Sequence, residues 1–137
     1  KNTFKNLDLR SEIKKSTSVY NGIFNLLVIQ GARDWMTGNV PQHEELDDHH
    51  IVPKSWGDKN LQSNKIHTIL NRTPLTADTN RNIIHDRLPN EYLPEMINRN
   101  GEENIRDILE SHFISYTAMK ILLRKPFTPD DFENFIS

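Results

Sequence analysis

Residues 44–57 read EELDDHHIVPKSWG, and residues 69–84 read ILNRTPLTADTNRNII. The run from Glu45 to Val52 is too short for a helix before Pro53, and its residues suit an extended strand. Ile69–Thr76 reads as a second short strand interrupted by Pro74. Thr76–Leu88 then reads as a helix, with Thr76 as its N-cap and Asp78 near its positive end. The order is strand, long loop, strand, helix. Lys54–Ile69 between the strands is polar and irregular, a loop with room for one short helical turn.

The chemistry begins at His49 and His50, two of only six histidines in the chain. Consecutive strand residues point to opposite sides, so an adjacent pair at a strand end can reach two sides of one small group. Hydrolysis of a phosphodiester needs such an arrangement, with a base that activates water and a metal that neutralises charge on the leaving oxygen. Asn80 in the first turn of the following helix is a candidate second metal ligand. Position 84, one turn on, is isoleucine and cannot coordinate. One imidazole and one amide oxygen make a weak, open site suited to a labile Mg²⁺ or Mn²⁺. Asp48 is a candidate to orient an imidazole from behind. Lys54, Arg72 and Arg81, in a locally basic stretch, are candidate contacts to a DNA backbone.

Composition narrows the alternatives. The chain has 137 residues, no cysteine and a net charge of −2. Disulfides, thiolate metal sites and a cysteine nucleophile are therefore excluded, and a reducing, cytoplasmic setting is expected. The length suits one domain. The longest near-apolar run, residues 22–29, falls well short of the ~20 residues needed to span a bilayer, so no membrane partner is expected. Phosphate-cradling glycine motifs and serine hydrolase elbows do not occur. HEELD at 43–47 lacks the second histidine of a zinc-protease helix.

The rest reads as helical. Ser16, Thr17 or Ser18 would start a helix that stops at Gly31, apolar on nearly all sides through Val19, Ile23, Phe24, Leu27 and Val28, hence a core helix. Helices are expected over NEYLPEMINRN, GEENIRDILESHF and TAMKILLRK. TPDDFENFI combines Thr128 as N-cap, Pro129 at the first helical position and Asp131 closing a capping box, with Phe132, Phe135 and Ile136 inward.

The ordered set RDWMTG (33–38), HHIVPKS (49–55), ILNRTPLT (69–76), TNR (79–81), PNEYL (89–93) and FTPDDFENFI (127–136) resembles the HNH, or His-Me finger, endonucleases. More narrowly it is similar to the C-terminal domain of GmrSD-type restriction proteins, over roughly residues 30–137. The resemblance implies an α+β, mostly helical fold, with a ββα-metal finger at about 46–87 embedded in a helical bundle from about 16–31 and 89–137. It implies that His50 is the general base, His49 and Asn80 the metal ligands, and Asn71 the central asparagine that pins the loop behind the base. Asn60 and Asn64 compete with Asn71 for that position. The implied function is metal-dependent DNA cleavage in restriction or phage defence, as the C-terminal part of a longer protein with an N-terminal nucleotide-using or target-sensing domain. The alternative is a binding or assembly module that keeps the finger without cutting.

Overall fold

The computed structural model describes residues 21–137, so the expected helix starts at Ser16, Thr17 or Ser18, and Val19, lie outside the described residues. The fold is α+β and mostly helical. Helix α1 covers residues 21–29. Strand β1 (Leu46–His50) pairs antiparallel with β2 (Arg72–Thr76), and α2 (Lys54–Asn60) and two short 3₁₀ turns lie between them. A π-helical segment, Thr79–Ile84, follows β2. Helices α3 (Pro89–Asn100), α4 (Glu102–Glu110), α5 (Tyr116–Leu122) and α6 (Pro129–Ile136) complete the chain.

The two-stranded sheet leaves both strands as edges, and this is why Pro74, which cannot donate to a ladder, is tolerated opposite Asp48. The register sets His49 against Thr73 and His50 against Arg72. One face of the sheet rests on a core of Trp35, Leu75, Tyr92, Leu93, Met96 and Phe132, all essentially inaccessible to water.

The RDWMTG segment is the knot that ties this core to the strand pair and the helix after it. Asp34 is 1% exposed. Its Oδ1 accepts from the amide and hydroxyl of Thr76 at 3.2 and 2.8 Å, and its Oδ2 from the Thr79 hydroxyl at 2.7 Å and the amides of Met36 and Thr37 at 3.1 Å. Burial alone would raise its pKa, but the bonds from Thr79, Thr76 and the amides outweigh it and hold the carboxyl below its ordinary range. The end of β2 and the start of the next helix are thereby fixed to one buried charge. Thr76 also accepts from the Thr79 amide at 3.2 Å, as an N-cap should.

The C-terminal capping box forms as its sequence predicts. Thr128 accepts from the Asp131 amide, Asp131 returns the bond, and Pro129 opens α6. Phe132 is fully buried, with Phe135 and Ile136 partly buried beside it.

Two expectations change. Of the described part of α1 only Leu27 is buried, while Leu26 is 44% and Ile29 81% exposed. It is not a core helix. Ile23, Leu26 and Leu27 border an open groove of about 450 Å³ shared with Leu70, Phe113 and Phe135. The predicted loop after Pro53 is largely helical, because α2 packs one narrow strip inward. A Cβ on Gly57 would stand 2.5 Å from Ile66, and Trp56 lies on Phe127 and Phe132 at 5.2 and 6.1 Å. A strip that narrow leaves the helix polar in sequence.

Candidate active site

β1 turns its last two side chains to different surroundings. His49 is 2% exposed and lies edge-on to Trp35 and Tyr92, at ring distances of 5.3 and 6.1 Å. Its Nδ1 stands 2.7 Å from Asn80 Oδ1. The Asn80 amide is oriented by its Nδ2, which donates to Asp47 at 3.3 Å. An amide oxygen only accepts, so His49 carries its proton on Nδ1, and Nε2 is left as a buried lone pair without a hydrogen-bond partner among the described residues. Burial is the main force on this ring and lowers its pKa to about 4, against the smaller opposing effect of Asn80.

His50, half-buried, turns to the other side, and its Nε2 lies 3.0 Å from Nδ1 of His67. Burial lowers its pKa as well. Asp48 opposes that shift, and His67, Arg72 and Lys54 add to it. His50 is therefore neutral at pH 7, as a base must be.

Asn71 explains how the loop delivers His67. It is fully buried. Its Oδ1 accepts from the Val52 amide at 2.8 Å, and its Nδ2 donates to the carbonyls of Val52 and Ile66, both at 2.9 Å. One side chain thus clamps the backbone two residues after His50 to the backbone one residue before His67. Its own carbonyl accepts from the Ile51 amide at 2.8 Å. Asn60 and Asn64 do no such work. Asn60 donates to the Trp56 carbonyl at the end of α2, and Asn64 is exposed. Asn71→Ala strands three buried backbone groups and is expected to cost about 3 kcal/mol or more at a typical 1–3 per unsatisfied group. Urea unfolding of the purified variant checks this; an unchanged midpoint would show that the clamp carries no stability.

The helix bearing Asn80 is wound wide over Thr79–Ile84, and the His85 amide closes it on the Asn80 carbonyl at 3.0 Å. Asp48, His49, His50, Asn80, Arg81, His85 and Asp86 line one open polar cleft of about 370 Å³. The expected catalytic and metal-binding residues therefore meet, with Asn71 supporting them from behind.

The three cations expected to contact DNA are each paired with an acid. Lys54 meets Asp58 at 3.3 Å, Arg81 meets Asp47 at 2.9 Å, and Arg72 meets Asp48, with Nε to Oδ2 at 3.0 Å. Asp48 thus serves Arg72, and its charge favours the protonated form of His50.

His67 is the site residue that sequence reasoning missed. It stands 17 positions from His50, in a stretch without periodicity, and only the Asn71 clamp brings the two together. His85 also lies on the cleft wall.

No family model matches the chain, and no solved structure matches it. An uncharacterized protein of Methanocaldococcus jannaschii is 31% identical over 142 residues, covering 91% of this chain. The chain spans about a quarter of that protein, 24% of its length.

Proposed function

We propose that this domain is a His-Me finger nuclease that hydrolyses DNA phosphodiester bonds with the help of one divalent metal. The observation that carries the reading is the joint placement of the strand pair and the helix after it. His49 faces Asn80 at 2.7 Å, and the adjacent His50 opens on the same cleft, its loop held by Asn71.

His49 and Asn80 fit a shared cation. Neighbouring donors on an octahedral ion at about 2.1 Å stand about 3 Å apart, so the pair needs to open by only a few tenths of an ångström, and the His49 proton would have to move from Nδ1 to Nε2 to free the ligating lone pair. The fit is to a weakly held ion. Among the described residues no group of three or more His, Cys, Asp or Glu is placed to hold a metal. A ligating imidazole also normally donates its other N–H to an acceptor, and His49 Nε2 has none. Mg²⁺ or Mn²⁺, completed by water and phosphate, suits such a site. Bound there, the ion would supply charge neutralisation at the phosphate and the departing 3′ oxygen.

The histidine pair supports a base at His50 in one of its tautomers. When His50 donates its Nε2–H to His67 Nδ1, the His50 Nδ1 keeps its lone pair and accepts the proton of an attacking water. In that tautomer His67 is the acceptor, and His50 is left basic at Nδ1. The products are a 5′ phosphate and a 3′ hydroxyl. A role in restriction or phage defence rests on the sequence resemblance.

The test is incubation of the chain with supercoiled plasmid, with and without Mg²⁺ or Mn²⁺; intact plasmid under every condition would sink the reading. His49→Ala and Asn80→Ala are expected to weaken Mn²⁺ binding by about 10- to 100-fold, measured by calorimetry. Raised Mn²⁺ should restore part of their cleavage and none of that of His50→Ala. Equal restoration of all three would mean that the roles are misassigned.

A further inference from the structure

His85 holds a backbone conformation that its own contacts do not repay. Its φ is 55° and its ψ −134°, a region close to one that only glycine occupies without strain. Among the described residues its imidazole has no hydrogen-bonding partner, and its side chain is exposed. The one structural duty of the residue, its amide bond to the Asn80 carbonyl, is made by the backbone and would be met equally by glycine. What a histidine adds there is an imidazole on the wall of the cleft that holds His49, His50 and Asn80.

The walls of that cleft are poor in available donors. Arg81 is held by Asp47, and Asp48 and Asp86 bring carboxylates that repel a phosphate. His85 supplies an N–H without first giving up a partner. Wide helical turns of this kind are concentrated at functional sites.

We propose that His85 is a further substrate-contacting residue, its imidazole donating a hydrogen bond to a phosphate oxygen of the nucleic acid in the cleft. The assignment rests on the nuclease reading and adds a donor on the helix side of the site. Retaining a strained histidine then trades stability for contact with substrate.

Three variants of the 137-residue chain separate backbone from side chain. His85→Gly relieves the strain and removes the imidazole, His85→Ala removes the imidazole alone, and His85→Gln keeps a donor. His85→Gly is expected to raise the melting temperature by roughly 3 to 10 °C, and His85→Ala is not. Both should lose about 10²-fold in plasmid cleavage and about 10-fold in affinity for a short fluorescent DNA duplex measured by anisotropy without metal. His85→Gln should recover a measurable part of each.

If His85→Gly is more stable but binds and cuts like the parent, the strain serves nothing in the reaction and the proposal falls, with the nuclease reading intact. A melting temperature unchanged in His85→Gly removes the premise of strain and overturns the proposal equally. A parent chain that neither binds nor cuts DNA overturns the proposal together with the reading on which it rests.

Discussion

Replacing His50 with alanine is expected to lower plasmid cleavage by about 10² to 10⁴-fold, the range for loss of a general base, while the fold stays intact. The ring is half-buried, and its one hydrogen-bond partner, His67, is itself partly accessible to water, so its removal strands no fully buried polar group. The pH dependence carries the same signature. Burial holds the His50 pKa below 6.5, so the base stays deprotonated across the neutral range. The acid limb of the cleavage profile falls below pH 6.5. Circular dichroism of the variant and single-turnover cleavage at several pH values check both parts. Parent-level cleavage by His50→Ala would remove the base from the mechanism.

The second large effect is acid lability of the metal-free chain. His112 is 5% exposed. Its Nε2–H donates to the Arg33 carbonyl at 2.6 Å, and its Nδ1 accepts from the Thr73 hydroxyl at 2.6 Å. The neutral ring is thus fully satisfied, and burial lowers its pKa to about 4, as it does for His49. Between pH 6.5 and 4 the unfolded chain binds protons that the folded chain refuses, so stability falls as pH falls through that window. Below about 4 both states are protonated and this contribution to the slope fades. Each histidine accounts for about 3 kcal/mol over the window, against a typical total of roughly 5 to 15 kcal/mol for a domain. Thermal unfolding in EDTA should show the midpoint dropping by more than about 10 °C between pH 7 and 4.5. A flat profile would mean that neither ring is buried in its neutral form.

How much was readable in advance varied with the range of the interaction. β1, β2 and the capped α6 were legible because short run length, Pro53 and the Thr128–Asp131 box act within a few residues. The meeting of His49, His50 and Asn80 followed from the order strand, strand, helix. The pairing of His50 with His67 was not legible, because it depends on Asn71 holding Ile66. Nor was the wide winding of Thr79–Ile84, since hydrophobic spacing over six residues does not separate π from α geometry. The reading of α1 failed for another reason. An all-apolar pattern states a preference for burial and is silent on what stands opposite, and in the described part of α1 only Leu27 is fully buried, with Ile23 and Leu26 on an open groove.

On the proposed nuclease reading, the pairing of Asp47 with Arg81 and of Asp48 with Arg72 would make DNA binding an exchange reaction. Each arginine that grips a phosphate must release a carboxylate, so one anion is swapped for another and little net charge is gained. Such a cleft discriminates against polyanions in general. A strand would then have to be presented at high local concentration, and the idle site would be a set of internal counterions waiting to be displaced.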